Sequence, residues 1–382
     1  MQIQEIVTMI DDEKLKTLGE LHKIDKINTK ITGAFILKAF VKSALTGIPI
    51  SLRSIETLAN KDKTLASYLK TPDPSKKRLD HSSLGKRLKT INADFFKEIY
   101  EDMVMKFQNT FSSQKSFHVF DSTIISISGK LMKSGLKIGG AKDNRHIKMS
   151  VSLKNSIPSS IRFCSKQSEG SEDIALARAI NEARVEKEDI ILFDRGIAKA
   201  ETFDQFTKEE KFFVTRVNPG RKYRLLSSNK IEKSEDSNLI ITSDVVVYLY
   251  NRKSKEIKCK LRLIKAMKTD GSELWFLSNL LDLSAYEITL SYKFRWQIEV
   301  LFKFLKQHLQ FKEFISYDQN GMKVYLYSLL IAAILFTVYK INNKLKGYKL
   351  AMLGFMLDLN KAIIKDIVLF CGGDPALVDQ KL

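Results

Sequence analysis

Apolar residues recur every three or four positions through much of the first hundred residues, which predicts amphipathic helices. Gly47, with Pro49 just beyond it, is typical of a helix end. Ser51 and Asn92 are typical N-cap residues. A polar, basic link over residues 71–78 interrupts the pattern. The predicted helices cover residues 29–46, 51–59, 82–90 and 92–111.

After residue 110 the pattern changes to short apolar runs rich in β-branched and aromatic residues, which predict strands. The first group of strands covers residues 117–127, 146–154, 159–165, 190–194 and 211–217, with a helix over 173–184. The second group covers 221–226, 238–250, 256–267 and 273–278. The first group with its helix indicates a mixed α/β core, and the second group indicates a β-rich insertion into that core.

The chain is strongly basic. It holds 63 Lys and Arg against 44 Asp and Glu, a formal net charge of +19, with a pI of about 9.5. Residues 51–100 carry 11 basic and 6 acidic side chains, and residues 291–350 carry 10 and 3. Such a surplus indicates a polyanionic partner, bound through its phosphates. Three widely spaced cysteines form no zinc or disulfide pattern and predict a reducing compartment.

Together these patterns predict four segments. The first has two open interpretations: a helix-turn-helix that reads DNA, or a helical cap that packs on the core and touches only phosphates. The segments are 1–110, a helical DNA-binding region; 111–217, the first part of the α/β core; 218–284, the β-rich insertion; and 285–382, the second part of the core with C-terminal helices.

The apolar stretch 324–339 raises the question of a membrane span. Its 16 residues fall short of the ~20 that cross a bilayer, and they include Ser328 and Thr337. We therefore expect a buried core helix and no membrane.

Two aspartates belong to predicted strands. Asp121 lies within 117–127, a run that is apolar on both faces, where a carboxylate carries a desolvation cost that a bound cation can offset. Asp194 ends the strand 190–194, and ligands of open α/β sheets gather at the carboxyl ends of strands. Because Asp194 precedes Arg195-Gly196, it is open to a second interpretation as a turn or capping residue.

Four polar residues share one face of a predicted helix over residues 291–310, a segment without Gly or Pro. At ~100° per residue, Arg295, Glu299 and Lys306 lie within about 60° of Tyr292. A carboxylate beside two cations and a phenol suits a site for a metal ion and phosphates. The alternative is a solvated face on which Glu299 pairs with Arg295 or with the lysine four residues on.

The spacing Tyr292-x2-Arg295-x3-Glu299-x6-Lys306 resembles the signature of DDE transposases of the insertion-sequence-four type. In that family the glutamate is the third metal-binding carboxylate of an RNase H-like catalytic core. The flanking tyrosine, arginine and lysine contact the DNA backbone at the end of the mobile element.

The two aspartates also resemble this family. Asp121-Ser-Thr is similar to its first catalytic aspartate and Asp194-Arg-Gly to its second, and the chain order Asp, Asp, Glu agrees. The resemblance extends over about residues 80–340. It implies an α/β fold with an RNase H-like mixed sheet flanked by helices, a β-rich insertion before Glu299, and an all-helical N-terminal region.

The resemblance implies cut-and-paste DNA transposition. Asp121, Asp194 and Glu299 would bind two Mg²⁺ or Mn²⁺ ions, which activate the attacking oxygen and stabilise the leaving one. Trp296 is open to two interpretations, stacking on a displaced base in a DNA hairpin or packing on the insertion. The implied partners are the terminal inverted repeats and the target, both double-stranded DNA.

The implied assembly is a homodimer in the synaptic complex, since one set of acids serves one DNA end. We expect a monomer without DNA, because a charge of +19 opposes self-association. The expected location is the nucleoid in the cytoplasm of a bacterium. Two other functions stay open: a stand-alone RNase H-fold nuclease, and a non-catalytic DNA-binding protein derived from a transposase.

Overall fold

A computed structural model provides the structure. It describes residues 10–25, 29–70, 78–110, 116–128, 135–138, 144–164, 166–231, 239–311 and 315–381. Most of the predicted link 71–78 lies outside the described residues. By its internal contacts the chain divides into two compact units, Met1–Phe107 with Lys303–Leu382, and Gln108–Phe302.

The helices begin and end close to the predicted positions, because local capping residues set their limits. Ser51 accepts a hydrogen bond from the backbone of Ser54, Asn92 from that of Asp94, and Gly47 ends its helix with a φ of 70°. The α-helices are α1 (Asp12–Leu21), α2 (Gly33–Thr46), α3 (Leu52–Lys61), α4 (Lys63–Ser67), α5 (His81–Thr90), α6 (Ala93–Thr110), α7 (Glu172–Glu182), α8 (Ala200–Lys208), α9 (Ala285–Tyr292), α10 (Trp296–His308), α11 (Gln319–Asn342), α12 (Tyr348–Phe370) and α13 (Ala376–Lys381). The short helices α1, α4 and α8 were not among the predicted elements.

The strands form one mixed sheet among the described residues. They are β1 (Phe117–Ser128), β2 (Asn144–Lys154), β3 (Ile157–Cys164), β4 (Ile190–Phe193), β5 (Phe212–Val217), β6 (Tyr223–Ser228), β7 (Leu239–Leu249), β8 (Leu261–Lys268) and β9 (Glu273–Ser278). Their order is β3-β2-β1-β4-β5-β9-β8-β7-β6. The pairs β1–β4 and β4–β5 are parallel, and all other neighbours are antiparallel. The prediction of a mixed α/β fold is therefore confirmed.

The strands predicted as an insertion continue the sheet of the core. β9 pairs with β5, with Val214 opposite Ser278, and β8, β7 and β6 follow outward. Backbone hydrogen bonds therefore join the end of this segment to the strand next to β4. An aromatic cluster of Phe193, Phe203, Phe206 and Phe213 fills the core beneath the central strands.

In the other unit, α11 is the central helix. It packs against α2, α5 and α12, and its residues from Val324 to Tyr339 are all buried. Among the described helices, α11 alone is long and apolar enough to cross a membrane, with a mean hydropathy of 1.9, but 89% of that window is buried within the protein. The prediction of a core helix is confirmed.

The prediction of one continuous helix over residues 291–310 is wrong. α9 ends at Tyr292, a 3₁₀ turn covers Lys293–Arg295, and α10 begins at Trp296. Tertiary packing explains the break. The ring of Phe294 stacks on Phe117 of β1 with centroids 4.6 Å apart, and the ring of Tyr292 packs edge-on against β9. A 3₁₀ turn is wound more tightly than an α-helix, so the residues after Tyr292 point in other directions than a continuous helix would give them.

Candidate active site

Asp121 and Asp194 occupy matching positions on neighbouring parallel strands. Phe120 of β1 pairs with Phe193 of β4, and each aspartate directly follows its phenylalanine. Neighbouring strands lie about 4.8 Å apart, so the two carboxylates emerge side by side. The strand pairing therefore brings together the two aspartates that the sequence singled out.

The environment of Asp121 disfavours its negative charge. Burial, followed by the charge of Asp194 and then that of Glu172, raises the pKa of Asp121 to about 7. The backbone N–H of Ser122, which donates to Asp121 Oδ1 at 2.7 Å, and the nearby Arg295 act in the opposite direction. A cation placed here would relieve the repulsion between the carboxylates.

Asp194 is held in a tight turn. Its Oδ1 accepts a hydrogen bond from the backbone N–H of Gly196 at 2.8 Å, and its carbonyl oxygen accepts one from the Thr215 hydroxyl at 2.9 Å. A Cβ on residue 196 would lie 2.3 Å from Glu172 Cγ and 2.8 Å from Asp194 Oδ1, so glycine is required for this close approach. The turn that the sequence offered as the second interpretation of Asp194 is therefore present, and it leaves the carboxylate beside that of Asp121.

Arg295 lies between Asp121 and Glu299. Its guanidinium forms an ion pair with Glu299, four residues later, and its Nη1 lies 4.0 Å from Asp121 Oδ2. The pairing considered as the alternative for this face is thus present. This ion pair lies beside Asp121 and not on a solvated surface, because the Arg295 side chain is only 14% exposed. Its Nε is enclosed without a hydrogen-bond partner among the described residues.

Tyr292 lies beside the same guanidinium. The Arg295 carbon centre is 5.6 Å from the centroid of the Tyr292 ring. Burial raises the pKa of Tyr292 to about 12, so its phenol keeps its proton and can donate a hydrogen bond. Trp296, the next residue after Arg295, is 62% exposed. Lys306 lies two turns after Glu299 on α10, in the portion that belongs to the other unit.

Sequence analysis missed three charged residues around this site. Glu172 begins α7, and its Oε2 lies 2.6 Å from Nζ of Lys148, which is buried on β2. The other oxygen of Glu172 is enclosed and has no hydrogen-bond partner within the described part of the chain. Arg216 of β5 lies near Asp194, Tyr292 and Arg295, and its burial, followed by the nearby cations, lowers its pKa. The sequence did offer one signal for Lys148 and Arg216. Each is a charged residue within a predicted strand, where a charge needs a partner.

The donor set fits a hard divalent cation. Carboxylate oxygens are the ligands that Mg²⁺ prefers, and here two carboxylates lie side by side at the end of β4 with their repulsion only partly offset by Arg295. Among the described residues, the one group of three or more acidic, histidine or cysteine side chains whose ligand atoms all lie within 4.8 Å of one another is Glu56, Asp80 and His81, so Glu299 does not close such a group with Asp121 and Asp194. That cluster serves local structure instead, because Asp80 caps α5.

Comparison with known proteins identifies the family. The family model for the transposase DDE domain matches residues 112–335, more than half of the chain and the whole region that carries the three acids. The chain belongs to the DDE transposase domain family.

Three curated relatives agree with this assignment. A putative transposase of Sinorhizobium fredii is 27% identical over 147 residues, which are 38% of this chain and 41% of that protein. A probable insertion-sequence transposase of Geobacillus stearothermophilus is 21% identical over 73% of this chain and 72% of its own. A putative insertion-sequence transposase of Synechocystis is 24% identical over 67% of this chain and 71% of its own length.

One solved structure is similar over most of its length. It is a cryo-EM structure of the piggyBac transposase synaptic complex with hairpin DNA, with a TM-score of 0.49 and 9% identity. The match covers 96% of this chain and 81% of that chain.

Proposed function

We propose that this protein is a DNA transposase that cuts at the ends of an insertion sequence and joins the freed ends to target DNA. The observation that carries the proposal is the position of Asp121 beside Asp194, each directly after one of the paired residues Phe120 and Phe193, within a DDE domain. The order β3-β2-β1-β4-β5, with β2 alone antiparallel to its parallel neighbours, supports an RNase H-like core. The spacing from Tyr292 to Lys306 supports the insertion-sequence-four type.

Asp121, Asp194 and Glu299 are the proposed ligands of two Mg²⁺ or Mn²⁺ ions. Bound there, the ions would activate the attacking oxygen and stabilise the leaving oxygen. The acids hold their positions by different means. Asp121 is held by its strand and Asp194 by its turn, whereas Glu299 is carried by a helix and restrained by Arg295.

Arg295, Tyr292 and Lys306 are the proposed contacts to the DNA backbone. The guanidinium of Arg295, which lies between Asp121 and Glu299, and the protonated phenol of Tyr292 are hydrogen-bond donors beside the acids, and this position supports contact with a scissile phosphate. The high exposure of Trp296 supports its role in stacking on a displaced base. Synapsis of two DNA ends would need two protein chains.

A strand-transfer assay tests the proposal. Purified protein, Mg²⁺, DNA carrying the inverted repeats that flank its gene, and a supercoiled target plasmid are incubated together. We expect cut ends and plasmid-joined products that require Mg²⁺ or Mn²⁺ and the inverted repeats. Cleavage without joining would favour the stand-alone nuclease, and binding without cleavage would favour the non-catalytic DNA-binding protein.

The cationic contacts give a separate prediction. Arg295→Ala and Lys306→Ala should each weaken binding to end DNA, because each removes a phosphate contact. Each should also reduce the slope of log K against log salt by roughly one unit. Fluorescence anisotropy over a salt series measures both quantities.

Lys187→Ala is the matched control, since Lys187 is 88% exposed and precedes β4, at the end of that strand opposite to Asp194. The slope of log K against log salt for Lys187→Ala should equal that of the wild type, because we expect Lys187 to make no phosphate contact. Unchanged slopes in both Arg295→Ala and Lys306→Ala would instead support a purely structural ion pair.

A further inference from the structure

The first turn of α7 is fastened to the segment that follows Asp194. Asp173, the second residue of α7, accepts hydrogen bonds from two backbone N–H groups of that segment. Its Oδ1 lies 2.6 Å from the nitrogen of Ala198 and 3.0 Å from that of Lys199. The Asp173 side chain is only 10% exposed, so water competes little for these bonds. The start of α7 therefore holds the chain just after Asp194 in place.

Glu172, the residue before Asp173, packs directly against the turn of Asp194. A Cβ on Gly196 would lie 2.3 Å from Glu172 Cγ and 3.1 Å from Glu172 Cβ. The same Cβ would lie 2.8 Å from Asp194 Oδ1, which accepts the hydrogen bond of the Gly196 N–H. The Glu172 side chain and the Asp194 carboxylate therefore border one small space, which glycine leaves open.

The two oxygens of Glu172 have different surroundings. Oε2 forms an ion pair with Lys148 at 2.6 Å, and the Lys148 ammonium also donates to the carbonyl oxygen of Gly170 at 3.0 Å. The Lys148 side chain is only 2% exposed, so it holds the carboxylate firmly. Oε1 is enclosed and has no hydrogen-bond partner within the described part of the chain. Most buried side-chain oxygens have a partner, so this exception calls for an explanation.

A purely structural role does not account for this placement. An acidic residue in the first turn of a helix interacts favourably with the helix dipole, and Glu172 also pairs with Lys148. Neither interaction needs a negative charge close to Asp121. Yet burial, the charge of Asp194 and the charge of Glu172 together raise the pKa of Asp121, and Oε1 of Glu172 stays unpaired. A cation bound beside these carboxylates would offset both costs.

We propose that Glu172 is a positioning residue for the divalent cation that Asp121 and Asp194 are proposed to bind. The inference rests on the proposed function, because it needs a cation at this site. Lys148 fixes the Glu172 carboxylate beside the Asp194 turn. There its negative charge adds to the attraction that the two aspartates exert on a cation.

Glu172 acts through its charge and as an outer hydrogen-bond acceptor, not as a ligand. The carboxylate oxygens of Glu172, Asp121 and Asp194 do not all lie within 4.8 Å of one another. Mg²⁺ keeps several of its waters in protein sites, and these waters need acceptors. An unpaired carboxylate oxygen at this place supplies one, and outer acceptors of this kind strengthen metal binding.

Binding of Mn²⁺ to the full chain without DNA tests the proposal, with titration calorimetry as the measurement. Glu172→Gln removes the charge but keeps an oxygen for Lys148, and it should weaken Mn²⁺ binding about 10-fold or more. Glu182→Gln is the matched control, because Glu182 lies at the other end of α7 and its side chain is 59% exposed. This control should bind Mn²⁺ as the wild type does.

Asp121→Asn distinguishes a failure of this inference from a failure of the proposed function. Asp121 is a proposed ligand, so its replacement should abolish Mn²⁺ binding at the site. If Asp121→Asn loses binding while Glu172→Gln binds as the wild type does, the role of Glu172 is overturned and the proposed function stands. If both variants bind as the wild type does, or the wild type binds no Mn²⁺, the cation site fails and the role of Glu172 fails with it.

Thermal melting separates positioning from a structural role. A cation that binds the folded chain raises the melting temperature by an amount set by its affinity. On addition of Mn²⁺ we expect a smaller rise for Glu172→Gln than for the wild type, each measured against its own melting temperature in EDTA. A merely structural glutamate would lower the melting temperature in EDTA and leave the rise unchanged, and that result would overturn the proposal.

Discussion

Asp121→Asn, Asp194→Asn and Glu299→Gln should each abolish DNA cleavage and joining while leaving the fold and DNA affinity nearly unchanged. Each replacement keeps the size of the side chain and removes one negative charge. Loss of a metal-held transition-state interaction is worth several kcal/mol, and about 1.4 kcal/mol corresponds to tenfold in rate, so we expect losses of about 10³-fold or more. The strand-transfer assay measures the effect. Any variant that cleaves at the wild-type rate removes its residue from the site.

The stability of Asp121→Asn without metal, measured against pH, is a control for the loss of activity. A misfolded variant would be less stable than the wild type, whereas this variant should be more stable at high pH. Burial and the neighbouring carboxylates raise the pKa of Asp121 from about 3.8 to about 7, so the folded chain binds this proton more tightly than the unfolded chain. Ionisation of Asp121 therefore weakens the fold progressively as the pH rises from about 4 through 7. Asparagine carries no such charge. With EDTA present, Asp121→Asn should melt above the wild type at pH 8, and the difference should shrink towards pH 4.

Asp244→Ala should cost the sheet-containing unit about 3–5 kcal/mol of stability, because it leaves the guanidinium of Arg262 buried and unpaired. The side chains of Asp244 and Arg262 are 1% and 6% exposed, and two hydrogen bonds of 2.8 and 2.6 Å join them. Arg262 also donates to the carbonyl oxygens of Leu281 and Leu283, just before α9. The pair therefore ties the outer strands to the segment that leads to Glu299.

Glu256→Ala is the matched control for that prediction. Glu256 and Arg224 form a similar two-bond ion pair, at 2.6 and 2.8 Å, in the same part of the sheet but on the surface. Loss of this ion pair should change the stability little, because water screens the interaction of exposed charges. Both tryptophans of the chain, Trp275 and Trp296, lie in the unit that holds the sheet, so their fluorescence during denaturation reports on that unit. Equal costs for the two variants would contradict the argument from burial.

Much of the secondary structure was predictable because its signals are local. The strand limits from β1 to β9 follow apolar runs of a few residues, and Ser51, Gly47 and Asn92 set helix limits through hydrogen bonds to their near neighbours or through a left-handed backbone. The break between α9 and α10 was not predictable in this way. It depends on the stacking of Phe294 against Phe117, a residue nearly 180 positions earlier in the chain.

The residues of the candidate site also fall into two groups, those that the sequence indicated and one that only packing brings into place. Residue types and spacing, together with the resemblance to a transposase family, pointed to Asp121, Asp194, Glu299 and Arg295. No local pattern pointed to Glu172, whose place beside Asp121 and Asp194 depends on the packing of α7 against β1 and β2. Its close approach also needs the missing Cβ of Gly196, a contact between two segments.

The order of amino acids was enough to establish which side chains carry charge, where most helices and strands lie and in what order the acids occur, because these features follow from composition and from periods of two to four residues. The folded chain adds that Asp121 and Asp194 lie side by side, that Arg295 lies between Asp121 and Glu299, and that large apolar side chains of α12 are exposed. The physical reason is the same in each case. A pKa, an ion pair or an exposed face is a property of distances between segments, and those distances are set by strand pairing and packing across the whole chain.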